Sequence, residues 1–551
     1  MNNKSTIKWI SAIAGRKKLF IFLLVILQSF LGICGVLYAL ILRSMIDAAI
    51  NSHTNEFRYY TTLFIVFVVL QILVRAIERF AVEYTRSSLE NTYKNKLFST
   101  LLTKDFSDVT KIHSGEWINR LTNDTVVVAD AMTHILPGIT GMVIKLSGAL
   151  IAILILAPMF GWLIVPGGLF MLLLSYSFRK VLKKLHKVIQ EKDGKLRVYF
   201  QEHLQSLMIV KTFGVWDRIN DDSTVKMEEH KKARLHRNHF SNVCNIGFGI
   251  VMNGAYVAGA ICCLLGIIAG TMTYGTLMAI LQLIAQIQSP FANITGYIPR
   301  FYAMLASAER LMEADTLKNE DTTDVHSLQE ANEFYHDRFI SMGFDNVSFS
   351  YKKDSPTVLD HLSLDIKKGD YVAFTGMTGC GKSTIIKLFM SLYTPNSGYI
   401  YITTIDEQLP LSPAWRKLFA YVPQGNHLMS GSIRDIVAFS DIGDAANDKR
   451  IWDALSISCA DEFVHKLENG IDTILGEHGL GLSEGQMQRI AIARAIFSES
   501  PILMLDEATS ALDEETEMHL LSNLRSMTDK TVLIVTHRMN VLSICDTVIE
   551  M

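Results

Sequence analysis

Three glycines, a lysine and two hydroxyl residues follow one another at spacings that suit the binding of phosphate groups. Residues 376–384 read GMTGCGKST and lie between the strand-like DYVAFT at 370–375 and the apolar run at 385–393. In a turn from a buried strand into a helix, glycines let backbone amides and the positive end of the helix surround phosphate oxygens. Lys382 adds a charge for the outer phosphates, and the Ser383 hydroxyl is placed to ligate a magnesium ion. The pattern predicts a nucleoside triphosphate site, and the alternative is a glycine-rich turn that only joins strand to helix.

Two adjacent carboxylates form a second group that could do chemistry. Residues 502–507 read ILMLDE, a hydrophobic strand that ends in Asp506 and Glu507. In a parallel sheet, such a strand would place both carboxylates at the sheet edge beside the phosphate loop. We expect Asp506 to hold the magnesium ion and Glu507 to accept a proton from an attacking water or to orient it. The alternative, for such a pair in isolation, is an acidic helix cap after a buried strand.

The elements that must position these residues divide the chain by composition. Its 551 residues are 49% hydrophobic with a net charge of -3, and the apolar residues are concentrated in the first half. The length predicts more than one domain, and the hydrophobic fraction is high for a soluble enzyme. No basic patch indicates nucleic acid as a partner. The seven cysteines show no metal-ligand spacing, and we interpret them as reduced thiols.

Six long apolar stretches in the first half predict membrane-spanning helices. Each is close to the roughly 20 residues that a helix needs to cross the hydrocarbon core, and the alternative for the first stretch is a cleavable signal peptide. Lysines and arginines precede the first stretch, which predicts a cytoplasmic N-terminus. The two connections on the cytoplasmic side, at about 75–134 and 179–242, are long and charged, so we expect the helices to project into the cytosol. The stretches are about 19–42, 57–74, 135–157, 160–178, 243–269 and 274–298.

Two helix faces in this half carry polar side chains. On the sixth stretch, polar residues recur at spacings of three or four, so they face inward, either to a substrate cavity or to a helix contact. On the helix that continues from the second stretch, charged residues share a face, which we interpret as salt-bridged in water rather than as a cavity lining. The polar residues are Gln282, Gln286, Ser289, Asn293 and Tyr297, and the charged residues are Arg75, Glu78, Arg79, Glu83 and Arg86.

An acidic, irregular-looking segment separates the apolar half from the rest of the chain. We predict a membrane domain at 1–314, a linker at 315–338 and a second domain at 339–551. In the second domain, short strands alternate with helices, as in a parallel sheet that is covered on both faces. The expected architecture is an all-α membrane domain of six helices followed by an α/β domain that contains the phosphate loop.

The stretch LSEGQMQRIAIARAI at 482–496 resembles the signature motif LSGGQ of ATP-binding cassette (ABC) transporters, and the whole chain resembles their exporter type. Ser483, Gly485 and Gln486 match signature residues that contact the γ-phosphate of a nucleotide held by another subunit. Glu484 stands where the family usually has glycine, and it adds negative charge near the phosphate. The resemblance implies that ATP binds between two chains.

Other motifs of this family appear in the expected order. Tyr351 in VSFSY matches the aromatic residue that stacks on adenine, and Gln424 in YVPQ matches the glutamine that reaches the magnesium ion and the attacking water. Asp513 in SALD matches the loop that crosses the dimer interface. His537 in VTHR matches the switch histidine that contacts the γ-phosphate. The segment TILGEHG at 473–479 resembles an exporter segment near the coupling contacts.

The resemblance therefore implies a full ATP site with ATP and Mg2+ as cofactors. The implied catalytic residues are Glu507, His537, Gln424 and Lys382. The implied magnesium ligands are Ser383, Gln424 and Asp506. The implied ATP-binding residues are Tyr351, Gly376, Met377, Thr378, Gly379, Cys380, Gly381, Lys382, Ser383, Thr384, Ser483, Gly485, Gln486 and Asp513.

The resemblance also implies an assembly and an activity. Segments near 106–125 and 199–214 resemble coupling segments, and the chain is expected to form a homodimer, with a heterodimer as the alternative. We expect it in the lipid bilayer of a bacterial cell membrane, with its N-terminus and ATPase domain in the cytoplasm. The implied activity is ATP-driven export or flipping of a peptide, drug or lipid. The alternatives are import of a siderophore-like compound and an ATP-gated channel or regulatory ATPase. Relative to the family, we expect neither a peptidase-like domain before the first span nor the helices that usually follow the last strand.

Overall fold

The chain forms two compact units. The computed structural model describes residues 3–321, 326–352, 355–377, 379–425, 428–441, 448–476, 481–527 and 529–551. Within those ranges, side chains are described except at 159, 161–177, 179–180, 182–183, 248, 252, 288–295 and 298. The first unit consists of Met1–Phe98 and Ile118–Glu313, and the second consists of Ser99–Trp117 and Ala314–Met551.

Long helices build the first unit, and the short helix at Phe106–Val109 belongs to the second unit. In chain order, the helices are α1 Asn3–Ala14, α2 Lys18–Ile50, α3 Thr54–Leu102, α4 Phe106–Val109, α5 Ser114–Asn119, α6 Thr125–Leu156, α7 Gly161–Gln205, α8 Leu207–Thr212, α9 Trp216–Ile268 and α10 Tyr274–Thr316. Short 3-10 turns lie at Gly15–Lys17 and Pro158–Phe160, and a π-helical turn lies at Arg120–Asp124. Helix α3 has 49 residues and is therefore about 70 Å long, more than twice the roughly 30 Å of a hydrocarbon core.

Four helical stretches of the described chain are long and apolar enough to cross a membrane. They are Asn3–Ile50, Thr54–Leu102, Ser114–Leu156 and Trp216–Ile268, and a shorter apolar helix covers Tyr274–Ile287. These helices carry the first, second, third and fifth predicted stretches and part of the sixth. The fourth prediction, at 160–178, falls on α7 almost entirely at side chains outside the described residues. The prediction of a helical membrane domain is confirmed.

Small residues let α2 and α6 approach each other closely. A Cβ atom added to Gly32 would lie 2.8 Å from the carbonyl oxygen of Gly141, and one added to Gly141 would lie 3.0 Å from the carbonyl oxygen of Gln28. A Cβ atom on Gly148 would lie 3.1 Å from Val36. In lipid, where apolar burial does not drive helix association, such close backbone contact supplies the packing energy. An alanine at Gly32 would therefore push these two helices apart.

Strands and short helices alternate in the second unit. The strands are β1 Phe339–Phe349, β2 Leu359–Lys367, β3 Tyr371–Thr375, β4 Ser397–Thr404, β5 Gln408–Pro410, β6 Phe419–Val422, β7 Gly431–Ser432, β8 Ile474–Leu475, β9 Ile502–Asp506, β10 Thr531–Val535 and β11 Thr547–Glu550. The helices are α11 Leu328–Asp337, α12 Lys382–Phe389, α13 Ile433–Val437, α14 Asp448–Ile457, α15 Asp461–His465, α16 Glu484–Phe497, α17 Glu514–Arg525 and α18 Met539–Leu542. Two 3-10 turns lie at Pro413–Leu418 and Gly470–Asp472.

A parallel sheet forms the centre of this unit, with strand order β11, β3, β10, β9, β6. Strands β9 and β10 are buried along their whole length, as their unbroken apolar sequences predict for strands that are covered on both faces. Val535 pairs with Asp506 on one side and with Phe374 on the other, so the three strands end level. The residues that follow them gather at one sheet edge. The predicted α/β architecture is confirmed.

A second, antiparallel sheet has the order β2, β1, β4, β5, and β7 and β8 form a separate pair. Phe344 of β1, Phe374 of β3 and Phe389 of α12 belong to one buried cluster. The helix after the phosphate loop is therefore fixed by a core that it shares with both larger sheets.

The segment at 315–338, which its acidic sequence suggested to be irregular, contains helix α11. Ser327 caps this helix, because its hydroxyl accepts the Glu330 N–H while the Glu330 carboxylate accepts the Ser327 N–H. Ala331, Phe334 and Tyr335 are buried. One apolar face of ten residues is too short a pattern to stand out among the surrounding charges.

Candidate functional site

The phosphate loop joins β3 to α12 through three glycines with left-handed backbone conformations. Their φ angles are +137° at Gly376, +89° at Gly379 and +108° at Gly381. L-residues rarely adopt such angles, and a Cβ atom on Gly381 would also lie 2.7 Å from Leu359. The spacing of the glycines is thus required by the turn itself. Thr378 of the predicted ATP site lies outside the described residues.

Lys382 is buried within the curve of this loop, with only 5% of its surface exposed. Its Nζ donates to the carbonyl oxygens of Gly376 at 2.8 Å and Met377 at 2.9 Å, and it lies 3.7 Å from Cys380 Sγ. Carbonyl dipoles alone compensate a buried ammonium poorly. The charge is therefore well placed to attract an anionic phosphate to the loop.

Asp506 at the end of β9 is 1% exposed and lies beside the start of α12. The hydroxyl of Ser383 donates to Asp506 Oδ1 at 2.9 Å, and the hydroxyl of Tyr421 donates to Oδ2 at 3.4 Å. Burial raises the pKa of Asp506 and the Glu507 charge adds to the increase, whereas the two hydroxyl donors oppose it. A hydroxyl and a carboxylate are hard oxygen donors of the kind that Mg2+ accepts together with phosphates, so these residues fit a magnesium site.

Glu507 brings three predicted catalytic residues together. Its φ angle is +51°, unusual for a residue with a side chain, and its N–H donates to the carbonyl of Val535 at 3.0 Å. Gln424 Nε2 donates to Glu507 Oε2 at 2.7 Å, and His537 Nε2 lies 3.9 Å from Oε1. The turn after β9 thus directs a partly exposed carboxylate towards a glutamine and a histidine from two other loops. A water beside this carboxylate would have a proton acceptor within reach.

Tyr351 lies against the start of α12. Its hydroxyl is 2.9 Å from the Thr384 hydroxyl, and its ring packs edge to face on Phe349 at 5.0 Å and Tyr393 at 5.2 Å. The side chain is still 42% exposed. An aromatic surface is therefore available beside the phosphate loop, as stacking on adenine would require.

The signature stretch forms the beginning of α16. Ser483 caps the helix, with its hydroxyl accepting the Gln486 N–H at 3.3 Å and its own N–H donating to Gln486 Oε1 at 2.9 Å. A Cβ atom on Gly485 would lie 2.8 Å from the carbonyl oxygen of Ala511, so this position requires glycine. Glu484 is exposed in the first turn, where its carboxylate interacts favourably with the positive end of the helix dipole.

The loop that contains Asp513 is fixed from two sides by residues that the sequence did not single out. Gln488 of α16 donates to the Ser510 hydroxyl at 2.9 Å and accepts the Ala511 N–H at 3.0 Å. Arg538 donates to the carbonyl oxygens of Ser510 at 2.7 Å and Leu512 at 2.9 Å. The position of Arg538 directly after the histidine was the available signal, but its partners are distant in sequence.

Asp513 itself caps α17. Its carboxylate accepts the N–H and the hydroxyl of Thr516, both at 2.9 Å, and these two hydrogen bonds lower its pKa. The ATP-binding role expected of Asp513 stays a prediction, because the observed contacts are those of a helix cap.

The first cytosolic connection contributes a short segment to the second unit. Lys104 Nζ donates to two backbone carbonyls near the end of α10 and to Asn319 Oδ1 at 2.8 Å. Phe106 of α4 packs edge to face on Tyr393 at 5.8 Å, and Tyr393 contacts Tyr351. Tyr393 therefore connects the start of the coupling segment predicted near 106–125 to Tyr351, the residue expected to stack on adenine.

A cavity of about 650 Å³ lies inside the first unit between α2, α3, α6 and α10. Gln282, Gln286 and Tyr297 of the predicted polar face line it, whereas the side chains of Ser289 and Asn293 lie outside the described residues. Gln286 Nε2 also donates to the carbonyl oxygen of Gly35 at 2.5 Å. This face thus forms part of a cavity wall and makes a helix contact as well.

The charged face of α3 divides between two environments. Arg75, Glu78 and Arg79 line the same cavity. Further along the helix, Arg86 and Glu83 form an exposed ion pair at 3.6 Å. The interpretation as a salt-bridged face in water is correct for the latter pair and wrong for the first three residues. Arg75 and Arg79 stay exposed there while Glu78 is buried, so neighbouring helices cover only part of this face, which the sequence of one helix does not reveal.

Two family models match the chain. The model for the ABC transporter transmembrane region matches residues 20–291, and the ABC transporter model matches residues 359–510. The chain belongs to the ABC transporter family. It joins the membrane region and the ATP-binding cassette in one polypeptide, as the sequence motifs predicted.

Similar proteins share this ABC transporter organisation over almost the full chain. The ATP-dependent lipid A-core flippase of Vibrio vulnificus is 27% identical over 525 residues, covering 92% of this chain and 86% of that protein. The leukotoxin translocation ATP-binding protein LktB of Mannheimia haemolytica is 26% identical over 553 residues, covering 98% of this chain and 75% of that protein. A solved structure of a bacterial Atm1-family ABC exporter with ATP bound gives a TM-score of 0.76 at 22% identity, covering 98% of this chain and 94% of that chain. This structural likeness establishes the exporter fold.

Proposed function

We propose that this chain is one half of an ATP-driven transporter that exports or flips an amphipathic substrate, such as a peptide, a drug or a lipid. One observation carries the proposal: Gln424, Glu507 and His537 meet beside the phosphate loop in a chain whose other unit contains an open cavity. Regulated gating of a channel would not require this hydrolytic arrangement. The similar proteins include a lipid A-core flippase and a leukotoxin translocation protein, which supports a substrate with apolar parts.

Each residue of the proposed ATP site has a distinct task. Lys382 exchanges its loop carbonyls for phosphate oxygens when ATP binds. Glu507, oriented by its hydrogen bond from Gln424, accepts the proton of the attacking water, and His537 contacts the γ-phosphate. Mg2+, when bound, neutralises charge on the phosphate oxygens. The residues proposed to hold it are Ser383, Gln424 and Asp506.

We infer that two copies of the chain form the working transporter. In this family, ATP is clamped between the phosphate loop of one cassette and the signature stretch of another, and this chain carries both. A second feature supports a partner: the turn around α8, in the coupling segment predicted near 199–214, exposes large apolar side chains. Leu204, Met208 and Phe213 are 68%, 83% and 75% exposed. Burying them against a second chain would remove an apolar patch from water.

The proposed orientation places the N-terminus and the cassette in the cytoplasm of a bacterial cell, with the helical unit in the inner membrane. The positive charges before the first span support this orientation. ATP binding then closes the two cassettes and turns the cavity from one side of the membrane to the other.

The proposal is tested first on the chain expressed alone. Purified in nanodiscs, it should have the mass of a dimer and hydrolyse ATP in the presence of Mg2+. A monomer, or a dimer without basal or substrate-stimulated hydrolysis, would show that a different partner chain is required.

A further inference from the structure

The cavity of the first unit carries an excess of positive charge. Arg75 and Arg79 of α3 and Lys145 of α6 line it together with His134, and among the described lining residues only Glu78 carries a carboxylate. The nearest acidic partner of His134 is Asp130, at 3.4 Å on the same helix. Arg75 and Arg79 directly follow the second predicted span at 57–74, and ionisable side chains that face a cavity between membrane helices are candidates for a substrate site.

The carboxylate of Glu78 accepts a hydrogen bond from a neutral side chain of the same lining. Glu78 is only 9% exposed, and its Oε1 accepts a hydrogen bond from Gln28 Nε2 at 2.7 Å. In the part of the chain that the structure describes, neither Arg75 nor Arg79 forms an ion pair, whereas Arg86 on the same helix does. Intramolecular pairing therefore does not explain the two cavity arginines.

The spacing of the arginines adds to their cost. Arg75 and Arg79 stand four residues apart, so they are neighbours on one helix face, where like charges repel. An anion between the two guanidinium groups would convert this repulsion into attraction. Each guanidinium can donate two parallel hydrogen bonds to a phosphate or carboxylate.

The lining is mostly polar, and a few apolar side chains beside the charged group offer contacts to an apolar body attached to such an anion. Leu31, Pro137 and Met142 contribute apolar surface beside the charged group, and Tyr38 adds a ring with a polar end. The volume of about 650 Å³ is within the usual range for pockets that bind drug-sized molecules.

We propose that the transported molecule is an amphipathic anion, and that Arg75, Arg79 and Lys145 bind its phosphate or carboxylate group. This inference rests on the proposed transport function and adds a substrate class to it. The cavity wall selects the anion, while the apolar side chains accept the body of the molecule.

The test uses three probes with the same dodecyl tail and different heads: dodecyl phosphate, dodecyl maltoside and dodecyltrimethylammonium. The full-length chain is placed in phosphatidylcholine nanodiscs, and ATP hydrolysis is measured against the concentration of each probe. Dodecyl phosphate should stimulate hydrolysis at a concentration at least about tenfold lower than either other probe, since a charge-assisted hydrogen bond contributes about that much affinity or more.

Substitutions then assign the effect to the cavity. Arg79→Gln should raise the half-maximal concentration of dodecyl phosphate by about tenfold, and Arg79→Lys should restore much of the response because the charge returns. Arg79→Glu should shift the preference to dodecyltrimethylammonium. Arg58→Gln is the matched control, because it removes the same charge from an exposed position of α3 outside the cavity and should change nothing. An unchanged melting temperature in each variant verifies that the protein is folded.

The outcomes separate this inference from the proposed function. If the cationic or neutral probe stimulates as well as the phosphate, or if Arg79→Gln behaves like Arg58→Gln, the anion site is refuted while transport stands. If no probe changes hydrolysis and none is transported into proteoliposomes, the proposed transport of amphipathic molecules fails. Replacing phosphatidylcholine by the anionic lipid phosphatidylglycerol distinguishes the source of the anion. If the substrate is a lipid, phosphatidylglycerol should raise hydrolysis without any added probe. If the substrate is a soluble molecule, hydrolysis should still rise only when dodecyl phosphate is added.

Discussion

Arg538 connects the loop that contains Asp513 to a buried carboxylate, so its substitution tests what fixes this loop. Its guanidinium donates to the carbonyl oxygens of Ser510 and Leu512, and its Nη1 lies 3.0 Å from Oε1 of Glu517. The Glu517 side chain is 1% exposed, so Arg538→Ala would leave a buried carboxylate without its counter-charge. The same change would release the loop that leads to Asp513.

The magnitude follows from the burial of the two partners. Removing one partner of a buried ion pair costs about 3–5 kcal/mol, but Arg538 is 35% exposed and water lowers the cost, so we expect about 2–3 kcal/mol. For a domain of this size, that corresponds to a fall in melting temperature of about 4–12 °C. Adding Glu517→Gln to Arg538→Ala removes the stranded charge and should recover about 1–2 kcal/mol.

The assay is thermal unfolding of the full-length chain without nucleotide, together with ATP hydrolysis below the melting temperature. Arg538→Ala should lower kcat more than it raises KM for ATP. The loop that Arg538 fixes, which contains Asp513, lies close in sequence to Glu507 and is separate from the phosphate loop. Arg338→Ala is the control, since it removes an exposed ion pair with Asp406 and should cost at most about 1 kcal/mol. Equal melting temperatures for Arg538→Ala and Arg338→Ala, or strictly additive effects in the double variant, would show that Arg538 does not stabilise the buried carboxylate of Glu517.

Three further predictions concern the ATP site. Lys382→Ala should weaken ATP binding by about tenfold to a hundredfold, measured by nucleotide titration, because a charge-assisted contact to phosphate is lost; unchanged affinity would remove the role of this lysine. Alkylation of Cys380, 3.7 Å from the Lys382 ammonium, should block hydrolysis, and bound ATP should protect; equal inhibition of a Cys380→Ser variant would assign the effect to another cysteine. Asp506→Asn should abolish Mg2+-dependent hydrolysis yet raise the melting temperature of the nucleotide-free protein. Because the folded-state pKa of Asp506 is raised, the folded protein is most stable when Asp506 is protonated, and this stability is lost as pH rises through that pKa. The increase in melting temperature of the Asn variant should therefore be larger at neutral than at acidic pH. The opposite trend would contradict the assignment.

The sequence predicted those parts of the site that depend on local pattern. The phosphate loop and the strand that ends in Asp506 each combine a few neighbouring residues with one type of turn, so the fold and the contributing loops followed from the motifs. The role of Gln424 came only from the resemblance, and the structure adds its contact with Glu507, because the neighbouring parallel strands β6 and β9 bring the residues that follow them to one edge.

Other features depend on packing between distant segments and could not be predicted. The pairing of Arg538 with Glu517 and the clamp that Gln488 forms on Ser510 require the positions of three separate elements. Whether Arg75 and Arg79 face water or a cavity depends on α2, α6 and α10, which the periodicity of α3 does not specify. The left-handed conformation of Glu507 likewise has no local signal, since this conformation is unusual for glutamate.

In the proposed transporter, hydrolysis at Glu507 drives the movement of an amphipathic molecule across the membrane. The most direct test of this movement is a set of proteoliposomes with outward-facing cassettes, supplied with ATP, Mg2+ and fluorescently labelled dodecyl phosphate, dodecyl maltoside or dodecyltrimethylammonium. At least one probe should accumulate in the lumen with the parent chain and not with Glu507→Gln, which should still bind ATP but hydrolyse it at least about a hundredfold more slowly. Accumulation that is equal in the two proteins, or ATP hydrolysis by the parent without movement of any probe, would contradict the claim.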